Sequence, residues 1–112
     1  LCARMTQEEF LKEKVFTDLT NQNDGFTDAS THCFSETDFE ILLERAAHFG
    51  IAIHQIEAWK NGSSFAIVNH EEYKRKATDA KWYIKAFNTQ KYKEKELLYS
   101  AAYKVSKKLL AR

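Results

Sequence analysis

The chain has 112 residues, 44% of them apolar and 29% charged, which fits one globular domain with a packed core and excludes general disorder. Its two cysteines, Cys2 and Cys33, lack C-x-x-C spacing; this argues against a disulfide framework and reads as free thiols in a reducing, cytoplasmic setting. The absence of proline rules out polyproline docking segments, and no apolar run approaches the roughly 18 residues of a membrane span, so no membrane association is expected.

Leu1 to Arg4 are set aside as an appended or disordered terminus, which leaves one α+β domain over residues 5–112. Thr6 with Glu9 three residues on forms a capping box, and Phe10, Leu11 and Val15 give a narrow apolar stripe, predicting a short helix over about 6–17. Residues 17–34 are rich in Asn, Asp, Ser and Thr, whose side chains compete for backbone hydrogen bonds, so a long loop is expected. Ser35 and Asp38 open the clearest helix. In it Phe39, Leu42, Leu43, Ala46 and Ala47 recur at helical spacing, and Gly50 provides a left-handed stop.

The pattern then turns β-branched and aromatic from Ile51 to Trp59, reaches Asn61-Gly62, and resumes from Phe65 to His70. Asn-Gly accepts positive φ at both centres of a type I′ turn, so this is a β-hairpin signal. A two-residue turn with unbroken ladders places Ala58 opposite Phe65, Ile56 opposite Ile67 and His54 opposite Asn69 on a core face. It also places Trp59 opposite Ser64, Glu57 opposite Ala66, Gln55 opposite Val68 and Ile53 opposite His70 on a semi-apolar second face. Glu71 to Ala77 is charged and reads as a loop or single turn. Thr78 or Asp79 caps a third helix to about Tyr92, with Trp82, Tyr83, Ala86 and Phe87 on one side. Leu98 to Val105 alternates and predicts a third strand, with a helix as the rival because Ala101 and Ala102 tolerate both. The expected architecture is a small antiparallel sheet of three strands, with room for a fourth, carrying about three helices mainly on one face in the order α-loop-α-β-β-α-β.

Charge is segregated along the chain. Residues 1–72 hold 5 Lys and Arg against 13 Asp and Glu, whereas residues 73–112 hold 12 against 3. Mutual neutralisation on folding, or plain solvation, explains this adequately. The sharper readings are two. Asp38, Glu40 and Glu44, with Asp24, Asp28 and Glu36, make an acidic field for a protein partner with a basic face, as small inhibitor and immunity proteins do by analogy of size and charge. Lys74, Arg75, Lys81 and Lys85, within a basic segment over 74–95, suit nucleic acid, with Trp82 and Tyr92 available for stacking.

For chemistry, the four histidines lack H-x-x-x-H spacing, Gly62-Ser63-Ser64 lacks a nucleophile elbow, and three glycines are too few for phosphate cradles. No catalytic residue, metal site or cofactor is nominated. His54 beside Asn69, with Glu57 and Trp59 nearby, is the one constellation suited to a small polar ligand or proton transfer; a structural histidine is the plainer account. The expected function is a small non-catalytic interaction module. A protein partner ranks ahead of nucleic acid, and homodimerisation stays open.

Overall fold

In the computed structural model, which describes residues 6–23, 25 and 31–110, Thr6 caps helix α1, Gln7–Phe10. Its hydroxyl accepts from the Glu9 amide at 3.1 Å while the Glu9 carboxylate accepts from the Thr6 amide at 2.9 Å. That pairing holds the Glu9 carboxyl below the usual range. The expected helix continues as a π turn, Leu11–Val15, closed by the Phe16 amide donating to the Leu11 carbonyl at 2.7 Å. The Gln7 side chain ties α1 to the far end of the chain. Its amide nitrogen donates to the Tyr103 carbonyl at 3.0 Å, and its oxygen accepts from the Val105 amide at 2.9 Å. The reading of Leu1 to Arg4 falls outside the described residues, as do Asp24 and Asp28 of the acidic set.

Helix α2, Glu36–Phe49, begins where Ser35 Oγ accepts from the Asp38 amide and ends at Gly50 in the left-handed region, φ 70°. Strands β1, Ala52–Lys60, and β2, Ser63–Asn69, are joined at Asn61 and Gly62, whose φ values of 51° and 80° are those the turn requires. A 3₁₀ turn, His70–Tyr73, leads to helix α3, Ala80–Lys93, capped by Asp79. Strand β3, Leu98–Lys104, and the short α4, Lys107–Leu110, close the described chain. The sheet order is β2-β1-β3, all antiparallel, so the third strand is confirmed over its helical rival.

The helices cover one face. Phe39 from α2 and Phe87 from α3 meet Tyr99 of β3, with ring centres 5.2 and 4.9 Å apart, and Ile53, Ile56 and Ala58 of β1 are buried in the same core. Each large side chain so buried contributes roughly 1.5–3 kcal/mol, which is why these stripes fix the layer arrangement. Phe34, expected to end the loop, is fully buried and exchanges two 2.8 Å backbone hydrogen bonds with Tyr99 on the outer side of β3. No described residue is paired in that way to the outer edge of β2.

The expected hairpin register holds only next to the turn, where Lys60 faces Ser63 and Trp59 faces Ser64. One step further, Ala58 faces Ala66 rather than Phe65, so Phe65 is an extra, unpaired residue. This β-bulge shifts the remaining ladder by one: Glu57 faces Ile67, Ile56 faces Val68 and Gln55 faces Asn69. Because strand side chains alternate with period two, the shift sends Ile67 to the outer face and brings Val68 into the core. A second bulge interrupts the other edge of β1. Ile53 faces Tyr103 and Gln55 faces Ala102, which leaves His54 as the extra residue.

Candidate functional site

The two bulges take apart the small-ligand constellation expected at the hairpin. His54 is not opposite Asn69, and each of the four residues named for that site has another engagement or neighbour. The Asn69 side chain caps the 3₁₀ turn by accepting from the Glu72 amide at 3.2 Å, and the Glu72 carboxylate accepts from the Asn69 amide at 2.9 Å. Glu57 accepts from the Ser64 hydroxyl at 2.7 Å, and the Trp59 indole donates to Ser100 Oγ at 2.9 Å. Trp59, Glu57 and Ser100 therefore share the outer face, while His54 lies beside His70 with ring centres 5.7 Å apart. The cavities of about 1000 Å³ beside Ser35 and Tyr92, about 490 Å³ beside Glu9 and Thr17 and about 450 Å³ beside Leu11 and His32 involve none of the four, and Glu57 alone of them lines a small one of about 180 Å³.

The charged helices remain unpaired with one another. The two ion pairs among the described residues join Lys60 to Glu94 at 2.6 Å and Arg75 to Asp79 at 3.4 Å. Neither links an acid of the first 72 residues to a base of the rest, so among the described residues the segregated charges are not neutralised by ion pairing. Lys60 holds the Glu94 carboxyl below its usual range, mainly by the side-chain hydrogen bond. On α2, Glu40 and Glu44 are exposed, whereas Asp38 accepts from the Thr20 amide at 3.2 Å and so helps to anchor the loop. Lys74, Arg75, Lys81 and Lys85 are exposed. Trp82 is 1% exposed and packs between Tyr73, Tyr83 and His70, so it is a core residue and offers no stacking surface to a base. Tyr92, at 92% exposure, keeps that capacity.

Buried titratable groups are set for packing. Burial, reinforced by the Glu57 charge, pushes the Cys33 thiol up to about 11, the condition of an inert thiol. Burial pushes Tyr83 and Tyr99 up to about 12, with smaller contributions from the charges of Asp79 and Glu36, and raises Tyr103 further. Among the described residues, the hydroxyls of these three tyrosines have no hydrogen-bond partner.

What sequence reasoning missed is the outer face and edge of β2. Phe65 is 39% exposed and Ile67 is 54% exposed. All seven residues of the strand, Ser63 to Asn69, are uncharged. Natural edge strands are ordinarily protected by lysine, proline or a covering segment. Among the described residues the protection consists of the bulge at Phe65 alone. No local signal marks that bulge, because Phe65, Ile67 and the alternate Ala66 and Val68 support either register.

No protein-family model matches this chain, and neither do the curated proteins or the solved structures with which it was compared. No helix among the described residues is long and apolar enough to cross a membrane.

Proposed function

We propose that this chain is a non-catalytic interaction module that binds another protein along β2. The supporting observation is an uncharged edge strand that carries Phe65 and Ile67 toward solvent. An extended partner segment adds to such an edge through main-chain hydrogen bonds, and side chains that meet Ile67 and Trp59 supply selectivity. The acidic residues Glu40 and Glu44 of α2 favour a partner with basic character by steering its approach. A cytoplasmic setting goes with this reading, since Cys33 is a buried free thiol.

The test is an Ile67→Lys variant, which places a charge on an exposed position of the edge. Proteins retained from a native lysate by the parent chain, after nuclease treatment, are expected to be lost from the variant while its circular dichroism is unchanged. Retention of the same proteins by both forms contradicts the reading. Nucleic-acid binding is the second reading, and it rests on Tyr92 standing exposed among Lys91, Lys93 and Lys95. Salt-sensitive binding of single-stranded RNA or DNA that Tyr92→Ala weakens would favour it over the first.

A further inference from the structure

The bulge at His54 changes the phase of β1, so that Ile53 joins Ile56 and Ala58 in the core, and it leaves the His54 side chain exposed. Bulges re-aim side chains, and this one leaves His54 next to the start of the 3₁₀ turn, where His70 stands. The ring centres are 5.7 Å apart and the ring planes are inclined at 66°, so the two rings are neighbours without being stacked.

The ring of His70 is oriented by a backbone contact. Its Nδ1 lies 2.7 Å from the Arg75 carbonyl oxygen. A carbonyl oxygen only accepts, so Nδ1 carries the proton and Nε2 of the neutral ring is left with its lone pair. A backbone carbonyl that fixes one ring nitrogen in this way is the usual support for a histidine whose other nitrogen binds a metal ion. Among the described residues the His54 side chain makes no hydrogen bond, so its ring is free to turn a nitrogen toward the same point.

The spacing is consistent with one shared ion. With metal–nitrogen bonds of about 2.0–2.1 Å, each ring centre lies roughly 3.2 Å from the metal, and tetrahedral placement separates the two centres by about 5 Å. The observed separation exceeds this by about half an ångström, a movement within reach of an exposed side chain. Two neutral imidazoles select a borderline transition ion, such as zinc, nickel or copper, over magnesium or calcium, which need oxygen ligands.

We propose that His54 and His70 form a two-histidine site for a divalent transition-metal ion, which clips the bulge of β1 to the turn that follows β2. No group of three or more His, Cys, Asp or Glu residues suited to a metal forms among the described residues, so water fills the remaining positions and binding is reversible. This site is independent of the partner surface proposed for β2.

Trp82 provides the readout, because its ring centre is 6.2 Å from that of His70. Trp59 lies five residues along β1 from His54, a distance of about 16 Å for extended chain. The experiment is a titration of the full chain, as a Trp59→Phe variant, with nickel ion while tryptophan fluorescence is followed. Saturable quenching with one ion per chain is expected, reversed by zinc and by chelator. His54→Gln, which replaces an exposed side chain that makes no hydrogen bond, is expected to weaken it by roughly tenfold or more, as is His70→Gln. Quenching that does not saturate, or that saturates equally in His54→Gln with its circular dichroism preserved, overturns the proposal.

Discussion

On the helix-covered face of the sheet, Ile53, Ile56, Ala58 and Tyr99 are wholly enclosed by side chains of the helices, whereas on the opposite face Ile67 stands more than half exposed. Both faces are built from the same alternating strands, and both carry β-branched residues. The difference lies in what fixes the alternation. On the inner face a slip of one residue would drag Ile56 out of contact with the helical layer, at a cost of several kcal/mol. On β2 the residues Phe65, Ala66, Ile67 and Val68 are apolar in either phase, so the bulge decides which of them meet the core. A strand of that composition at an open edge satisfies the fold in one register and leaves apolar surface over, which is the physical basis for reading it as a binding strand.

The sharpest way to break this comparison is to truncate one isoleucine on each side. Ile56→Ala removes a fully buried side chain and is expected to cost about 2–5 kcal/mol in denaturant unfolding, whereas Ile67→Ala is expected to cost less than about 1 kcal/mol. Equal costs would mean that the two residues are core neighbours, as an unbroken ladder would have it.

A smaller effect separates the buried hydroxyls of the inner face from exposed groups. Tyr83 and Tyr99 are held neutral in the fold up to about pH 12, while in the unfolded chain they ionise near the ordinary value of 10. Unfolding therefore releases protons between those values, so stability is full below about pH 10 and falls as the pH rises toward 12. Unfolding midpoints measured across that window are expected to drop, and the slope is expected to lessen in Tyr83→Phe. A flat profile would show that the phenols are solvated.

Much of this architecture was legible in the residues themselves. Ser35 and Gly50 mark the ends of α2, Asn61-Gly62 marks the turn, and the alternation from Leu98 onward marks β3, because each of these is a local preference that the tertiary packing reinforces. The π turn was not legible, since its extra residue leaves Phe10, Leu11 and Val15 all facing the core as a regular helix would. Nor were the two bulges, which follow from how three strands and the 3₁₀ turn fit together rather than from any short motif. The candidate site suffered most from this. His54 and Asn69 were placed together by a ladder that slips between them, Trp82 went from stacking surface to core, and His70 became the neighbour of His54.

The central claim is that the bulge at Phe65 turns Ile67 out of the core. The measurement that tests it most directly is the unfolding free energy of Ile67→Lys in denaturant. A value within about 0.5 kcal/mol of the parent, with an unchanged denaturant slope, is the expected result for an exposed edge position. A loss of about 2 kcal/mol or more would mean that the lysine is forced into the apolar layer, and the open strand described here would not exist.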